Sequence, residues 1–221
     1  LILSQTYGTA SSYRVQNDGF GNQEYVDNVE NVIGTSFADT IIGDTSNNKL
    51  SAGLGDDTLY GDSGNDTLIG GLGADTFRGG LGDDIIYGNA ESTSSVDSSR
   101  DIVDFSTSAT AIKVNLSSTI SNILLSRETS TTLSTQTSIG EGTDKLYDIQ
   151  DVIGSVGQDT LVGDDSANSL RGGADNDLLI GGLGADILMG EDGNDTILGG
   201  LDNDTIYGGT FDGTNHVDSG I

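Results

Sequence analysis

The stretch GDSGNDTLIGGLGADTFRGGLGDDIIYG, from Gly61 to Gly88, repeats one nine-residue pattern three times. Its aspartates are Asp66, Asp75 and Asp84; glycines precede each of them, and an apolar residue stands two positions after it. Glycine tolerates positive φ and close approach of backbone atoms, so the glycine-rich half of each nonapeptide predicts a turn. The residues after the aspartate alternate in polarity, which predicts a short strand with one buried side chain.

The pattern extends in both directions and forms two blocks of six nonapeptides. The first block runs from Gly34 to Tyr87, the second from Gly154 to Tyr207, and a shift of 120 residues superimposes them. Short repeats of constant length indicate a solenoid, in which each unit packs only on its neighbours. We number the positions of a nonapeptide one to nine, with the aspartate at six and the apolar residue at eight.

Two nonapeptides make one coil of turn, strand, turn and strand, and successive coils stack as parallel strands about 4.8 Å apart. The absence of Pro suits this arrangement, since Pro removes a donor from the strand ladder. We therefore predict an all-β fold with two parallel β-roll (β-solenoid) blocks, joined by a Ser/Thr-rich linker that contains strands. The position-eight side chains are expected to form the core. They are Ile41, Leu50, Leu59, Leu68, Phe77, Ile86, Leu161, Leu170, Leu179, Leu188, Ile197 and Ile206.

Changes in composition suggest where the chain divides. We predict the tail of a preceding linker unit at 1–30, the first block at 31–90, the linker at 91–150, the second block at 151–215 and the start of a following segment at 216–221. Within the linker, AIKVNL predicts a strand whose Ile112, Val114 and Leu116 share one face. The chain begins without Met and shows no secretion signal, so we expect a fragment of a longer protein.

The net charge of the chain limits the classes of partner that it can bind. There are 35 acidic and 8 basic residues, a formal net charge of −27, which disfavours nucleic acid and anionic membrane surfaces. No apolar run is long enough for a membrane span, so membrane insertion is not expected. With no Cys, disulfides and thiolate metal sites are excluded. Repulsion among the acidic side chains opposes a compact fold, unless bound cations are part of that fold.

The position-six aspartates are the candidate cation ligands. Residues eighteen apart lie on the same side of successive coils, so Asp57 should stack over Asp39 and under Asp75, and Asp66 should face Asp84. A Ca²⁺ between two such carboxylates removes their repulsion, and carbonyl oxygens of the glycine turns can complete its shell of about six to eight ligands. Mg²⁺ prefers a small octahedral shell with retained waters, and Zn²⁺ lacks its His and Cys ligands here.

The nonapeptides GGLGADTFR, GGLGDDIIY and GGLGADILM closely resemble the RTX, or haemolysin-type, calcium-binding repeat, whereas GDTSNNKLS and GDDSANSLR are degenerate. The resemblance implies a parallel β-roll with several Ca²⁺ ions per block, which folds outside the cell or at the bacterial cell surface after type I secretion. It implies the position-six aspartates as metal ligands: Asp39, Asp57, Asp66, Asp75, Asp84, Asp159, Asp177, Asp186, Asp195 and Asp204. It also implies that backbone carbonyl oxygens of turn glycines are metal ligands. These glycines are Gly53, Gly55, Gly64, Gly71, Gly73, Gly80, Gly82, Gly173, Gly182, Gly184, Gly193 and Gly200. A weaker or absent site is expected at Asn48 and Asn168, which replace the aspartate.

Catalysis is not expected from these residues. His216 is the single histidine, and we expect it to have no catalytic or ligand role. The sequence GSVG, which begins at Gly154, superficially resembles a nucleophile turn, but no His is placed to act as its base. A glycosidase-like carboxylate pair stays open in principle. A ladder of equivalent acids nevertheless favours ion binding, because catalysis needs one pair.

Two classes of function remain. The first is a structural or spacer module of a large secreted or cell-surface RTX protein, such as an adhesin or surface-layer-like protein. The second is an accessory calcium-binding or carbohydrate-binding module of a secreted enzyme, similar to those of alginate epimerases. A basic or aromatic stripe on one face would favour the second class. The expected partners are calcium ions and neighbouring modules of the same chain; a surface or polysaccharide target stays open.

Overall fold

A computed structural model describes residues 30–89, 98–116 and 143–211, together with short strands outside these ranges. Every regular element in this part of the chain is a β-strand. The first eleven are β1 (Ile2–Leu3), β2 (Tyr13–Gln16), β3 (Gln23–Glu24), β4 (Asn31–Ile33), β5 (Thr40–Ile42), β6 (Lys49–Leu54), β7 (Thr58–Ser63), β8 (Thr67–Leu72), β9 (Thr76–Leu81), β10 (Ile85–Tyr87) and β11 (Ile102–Asp104). The others are β12 (Ile112–Asn115), β13 (Ser134–Thr137), β14 (Thr143–Tyr147), β15 (Asp151–Ile153), β16 (Thr160–Val162), β17 (Ser169–Ala174), β18 (Leu178–Gly182), β19 (Ile187–Asp192), β20 (Thr196–Gly200), β21 (Thr205–Tyr207), β22 (Thr210–Phe211) and β23 (His216–Val217).

The chain divides into two compact units. The first consists of Leu1–Val103 and Gly140–Ile149, and the second of Asp104–Ile139 and Gln150–Ile221. Within the ranges that the structure describes, no helix is long and apolar enough to cross a membrane.

In the first unit, alternate strands enter two parallel sheets. One sheet contains β5, β7, β9 and β11 in that order, and the other contains β4, β6, β8, β10 and β14. Leu59 pairs with Phe77 and Leu50 pairs with Leu68, so the register advances by eighteen residues per coil. Near the start of the chain, β2 pairs in antiparallel orientation with β1 and β3.

The second unit repeats this design. One parallel sheet contains β15, β17, β19 and β21, and the other contains β12, β16, β18 and β20. Two short antiparallel pairs accompany it, β12 with β13 and β22 with β23. The predicted all-β parallel solenoid is therefore confirmed in each unit.

The position-eight residues form the core as predicted, except in the last coil. Ten of them are fully buried: Ile41, Leu50, Leu59, Leu68, Phe77, Ile86, Leu161, Leu170, Leu179 and Leu188. The prediction is wrong for Ile197, which is half-buried, and for Ile206, which is 48% exposed. Both lie at the end of the second unit's parallel sheets, where a strand neighbour covers them on one side only.

One strand of the predicted linker lies within the described residues. The strand predicted in AIKVNL is β12, and Ile112, Val114 and Leu116 are buried together on one face as expected. Much of the rest of the linker, at 90–97, 117–133 and 138–142, lies outside the described residues. The domain boundaries therefore stay predictions.

Candidate metal centre

The position-six side chains form two ladders along each unit. In the first unit, the backbone N–H of Asp57 donates to Oδ1 of Asp75, and that of Asp66 donates to Oδ1 of Asp84, both at 2.8 Å. The same bond joins Asp39 to Asp57, Asn48 to Asp66, Asp159 to Asp177, Asn168 to Asp186, Asp177 to Asp195 and Asp186 to Asp204. Residues eighteen apart are therefore stacked as the spacing predicts, but an amide donor lies between successive carboxylates.

The second carboxylate oxygen of most ladder residues has no such donor. Oδ2 is buried without a hydrogen-bond partner in Asp57, Asp66, Asp75, Asp84, Asp101, Asp177, Asp186 and Asp195. A buried polar atom without a partner is energetically unfavourable and calls for an explanation, such as a bound ion. Eight of them in equivalent positions indicate a repeated cation site.

Burial also changes the acidity of these groups. Loss of hydration on burial raises the pKa of Asp66, Asp84 and Asp177 to about 7 and that of Asp57 to about 6, from an ordinary value of 3.8. The ladder hydrogen bond opposes this rise, and neighbouring carboxylates such as Asp84 beside Asp66 add to it. Without a cation, these carboxyl groups therefore keep their protons to a higher pH than exposed aspartates do.

A glycine stands at position one of most turns, beside the unpartnered oxygen; the turn of Asp57 has Ala52 there instead. A Cβ at Gly70 would come within 3.0 Å of both Asp75 Oδ2 and the carbonyl oxygen of Gly88, and no real Cβ approaches other atoms so closely. At Gly61, a Cβ would meet Asp66 Oδ2 and the carbonyl oxygen of Gly79 in the same way. Each such turn therefore brings one carboxylate oxygen and one carbonyl oxygen together at a glycine.

The turn glycines predicted as carbonyl donors share one backbone conformation. All twelve have φ between +95° and +153°, the region that side chains disfavour. A Cβ at Gly71 would come within 3.0 Å of the Gly53 carbonyl oxygen, and one at Gly73 would meet that of Gly55. The carbonyls of one turn therefore point at the glycines of the corresponding turn in the next coil, eighteen residues later.

Positions two and four keep this conformation even where glycine is replaced. Asp62 and Glu191 occupy position two with φ of +78° and +73°, and Asp175 and Asp202 occupy position four with φ of +71° and +77°. Non-glycine residues at positive φ are strained and persist where the surroundings fix them. The substitutions at Asp175 and Asp202 therefore leave the turn geometry intact.

The first two turns of each block differ from the four that follow. In the first turn, the N–H and Oγ1 of Thr35 donate to Asp39 Oδ2, at 2.6 Å and 2.9 Å. In the second, the N–H of Asp44 donates to Asn48 Oδ1 at 2.8 Å. We call turns of this kind, which begin at Gly34, Gly43, Gly154 and Gly163, closed turns. We call the others, which begin at Ala52, Gly61, Gly70, Gly79, Gly172, Gly181, Gly190 and Gly199, open turns.

The closed turns of the second block repeat this arrangement. The N–H and Oγ of Ser155 donate to the two carboxylate oxygens of Asp159, and the N–H of Asp164 donates to Asn168 Oδ1. Amide Nδ2 of Asn168 donates to the Gln150 carbonyl at 2.9 Å. These bonds occupy the oxygens that an ion would use. The structure therefore places Asp39 and Asp159, both predicted ligands, in a different environment from the open-turn aspartates.

Sequence reasoning missed two residues of the ladders. The N–H of Asp75 donates to Asp101 Oδ1 at 2.9 Å, and that of Asp84 donates to Asp144 Oδ1 at 3.0 Å. Both acids are about 1% exposed. Each is followed two positions later by a buried apolar residue, Val103 or Leu146, which is the spacing of positions six to eight. That short signal could have identified them without a complete nonapeptide.

The oxygen donors in these turns fit a hard cation. In the described part of the chain, no group of three or more acidic, His or Cys side chains converges on one point. A complete shell would therefore need backbone carbonyls beside single carboxylates. Such mixed oxygen shells suit Ca²⁺, which accepts carbonyl ligands in a flexible geometry. The side chain of His216 lies outside the described residues.

Comparison with known families agrees with this geometry. Four copies of the RTX calcium-binding nonapeptide repeat match residues 33–68, 60–92, 153–188 and 180–214, which together span more than half of the chain. The chain belongs to the RTX calcium-binding repeat family. No curated protein matches it. The RTX repeats of this chain are thus calcium-binding β-roll repeats, and they end short of Asp101 and Asp144.

Proposed function

We propose that this RTX chain is a structural module of a larger secreted or cell-surface protein, and that its open turns hold the Ca²⁺ ions on which its folding depends. The observation that carries the proposal is that seven of the eight open turns, all but that of Asp204, have a buried Oδ2 atom without a donor. Each lies in a ladder whose other oxygen is already used, as in Asp66 and Asp84. A cation is the partner that would satisfy all of them at once.

The chain's own residues determine how such ions would act. Open-turn aspartates would present Oδ2. The position-one carbonyl that lies beside this oxygen, together with carbonyls of position-two and position-four glycines, would complete the shell. Bound Ca²⁺ would supply the positive charge that lets these buried carboxylates stay ionised. In its absence, the net charge of −27 opposes compaction. Because the sites do not exist in the unfolded chain, ion binding and folding are coupled.

Secretion and a spacer role follow from this coupling as parts of the proposal. Extracellular calcium modules bind at roughly 10⁻⁴–10⁻³ M, so such sites fill outside the cell and stay empty where free Ca²⁺ is low. Two copies of one block then suggest a tandem spacer, as in an adhesin or surface-layer-like protein. We also propose that the module has no catalytic activity of its own, because its acids repeat one arrangement.

The accessory-module alternative receives less support. A carbohydrate-binding face would show an aromatic or basic stripe. Ring contacts in the described residues include a stacked pair, Tyr87 and Tyr147 at 4.8 Å, and a cation–π contact of Arg78 with Tyr60 at 5.5 Å. These two contacts do not form a continuous aromatic or basic stripe. Specific retention of the chain on a polysaccharide column, lost in Tyr87→Ala, would nevertheless establish the alternative.

Circular dichroism of the chain, titrated with Ca²⁺ and separately with Mg²⁺, tests the proposal. We expect little β-sheet signal in EDTA, a cooperative rise at roughly 10⁻⁴–10⁻³ M Ca²⁺, and no comparable rise with Mg²⁺. Asp165→Asn removes an exposed acid of a closed turn and is the matched control for charge. A full β-sheet signal that persists in EDTA would contradict calcium-dependent folding.

A further inference from the structure

After Tyr87 the nonapeptide pattern stops, but the coil of the first unit continues for one more turn. Gly88 takes position one of this turn, and Asp101 takes position six, twenty-six residues after Asp75 instead of eighteen. Strand β11 then continues the sheet, with Ile102 paired to Thr76 and Val103 paired to Phe77. Between these two positions the sequence has eight residues more than a nonapeptide has.

Asp101 has the features of an open-turn ligand. Its side chain is 1% exposed, and Oδ1 accepts the ladder bond from Asp75 N–H at 2.9 Å. Oδ2 is buried and accepts no hydrogen bond. This atom cannot be assigned to the solvated surface, where an acid outside the repeats would otherwise belong.

A carbonyl oxygen completes the same arrangement as in the repeats. A Cβ at Gly88 would come within 3.0 Å of Asp101 Oδ2 and of the Asp148 carbonyl oxygen. At Gly70, the corresponding atoms are Asp75 Oδ2 and the Gly88 carbonyl oxygen. Asp148 thus replaces a position-one glycine as the carbonyl donor, although it is sixty residues after Gly88.

The backbone around Asp148 is held in place for this role. Tyr147 pairs with Tyr87 in parallel strands, and the Gly88 N–H donates to the Tyr147 carbonyl at 2.9 Å. Asp148 itself has φ of +56°, a left-handed conformation that costs energy for a residue other than glycine. Its carbonyl direction is therefore imposed by the surrounding structure.

We propose that Gly88, Asp101 and Asp148 form a further Ca²⁺ site outside the nonapeptide repeats. It deepens the proposed function and rests on it, since the same ion and the same ligand types are used. The site joins two segments that are distant in the chain, because Asp101 and Asp148 contact the same point beside Gly88. Its occupancy would fasten β14 to the end of the first block, making that late segment part of the calcium-dependent fold.

The experiment counts bound ions on the whole chain by equilibrium dialysis at the lowest Ca²⁺ concentration that saturates the wild type. Asp101→Asn keeps an Oδ1 acceptor for Asp75 N–H but removes the charge, and we expect it to lose one ion per chain. Gly88→Ala changes no acid and fills the site, and we expect it to lose one ion as well. The double variant should also lose one ion, because both changes act at one site.

The controls separate this inference from the proposed function. Asp165→Asn should keep the wild-type ion count, and Asp66→Asn should lose an ion from the repeats. If Asp101→Asn retains every ion while Asp66→Asn loses one, the further site is overturned and the proposed function stands. A loss of two ions in the double variant would also overturn it. A wild-type chain that binds no Ca²⁺ would overturn both. Circular dichroism of each variant in Ca²⁺ checks that the β-sheet signal is retained where ions are counted.

Discussion

The closed and open turns follow nearly the same nine-residue pattern, but they satisfy the side chain at position six in opposite ways. In closed turns, a backbone N–H from position two donates to that side chain, as Thr35 does to Asp39. In open turns, positions two and four take positive φ, and Oδ2 of an aspartate such as Asp75 has no hydrogen-bond donor. The closed turn satisfies its side chain with its own donors, and the open turn leaves one carboxylate oxygen for the cation that we propose.

Position two is where the two kinds of turn diverge. Closed turns have Thr35, Asp44, Ser155 and Asp164 there, whose side chains accept hydrogen bonds from the turn backbone. Open turns have glycine there, except at Asp62 and Glu191. In closed turns, this hydroxyl or carboxylate bonds the turn backbone locally. In open turns, position two has positive φ, whether it is glycine or, as at Asp62 and Glu191, an acid.

The largest expected effect concerns pH in the absence of metal, since it acts on many open turns together. Burial raises the pKa of Asp66, Asp84 and Asp177 to about 7, whereas the ordinary value is 3.8. Between these values the folded chain binds more protons than the unfolded chain. The free energy of unfolding of the metal-free chain should therefore fall as pH rises from about 4 to about 7.

The β-sheet signal in circular dichroism at about pH 4.5 and pH 7.5 checks this prediction. In EDTA we expect little signal at the higher pH and a larger signal at the lower pH, where protonation relieves the buried carboxylates. With saturating Ca²⁺ the trend should reverse, because the metal binds the ionised carboxylates. Substituting Asn at both Asp66 and Asp84 should weaken the dependence in EDTA. A metal-free β-sheet signal that rises with pH would contradict the role assigned to burial.

The next largest effect is expected from exchanging residue types between the two kinds of turn. Gly71→Ser places in an open turn the residue that Ser155 provides in a closed turn. Gly71 has φ of +122°, and its Cβ would overlap the Gly53 carbonyl oxygen. Strain and overlap should together lower the free energy of unfolding by about 3 kcal/mol or more, measured by urea denaturation in Ca²⁺.

Ser155→Gly is the reverse exchange and serves as the control. It removes the hydroxyl that donates to Asp159 and accepts from the Gly157 N–H, at an expected loss of about 1 kcal/mol. The backbone N–H of position two remains available to Asp159. If the two exchanges cost the same free energy, the positive φ of open turns would not be what distinguishes them.

Much of the fold follows from the sequence because the repeat fixes register directly. A spacing of eighteen residues per coil predicts the parallel pairs, the buried position-eight row and the stacking of Asp57 with Asp75. The glycines predicted as carbonyl donors all adopt positive φ, because their density marks the turns that need it. These properties are local, so one nonapeptide contains enough information to predict them.

Other features depend on contacts that the repeat does not encode. The closed state of Asp39 arises from Thr35, a residue that the aspartate pattern alone gives no reason to examine. Asp101 and Asp144 join the ladders from twenty-six and sixty residues away, across insertions that hide the period. The exposure of Ile206 depends on its place at the end of a sheet. In each case a residue or neighbour that the repeat pattern does not specify decides the outcome.

A smaller effect is expected when matched aspartates are neutralised in the two kinds of turn. Asp75→Asn removes the charge from an unpartnered buried oxygen, so Ca²⁺ affinity at that turn should weaken by about tenfold or more, since affinity depends on ligand charge. Asp39→Asn acts where Thr35 already donates, and the ion count should not change. Calcium titration calorimetry of both variants measures the difference. Equal weakening in the two variants would mean that closed turns bind ions as well.

The smallest effect is expected where a closed turn is changed toward the repeat consensus. Asn168→Asp restores the aspartate of the pattern, but Nδ2 of Asn168 now donates to the Gln150 carbonyl, and a carboxylate cannot do so. Two acceptors would face each other, so the free energy of unfolding in Ca²⁺ should fall by about 1 kcal/mol. The N–H of Asp164 would still occupy Oδ1, and no ion should be gained. An added ion in dialysis, with increased stability, would show that position six alone decides calcium binding, and that the hydrogen bonds of the closed turn are secondary.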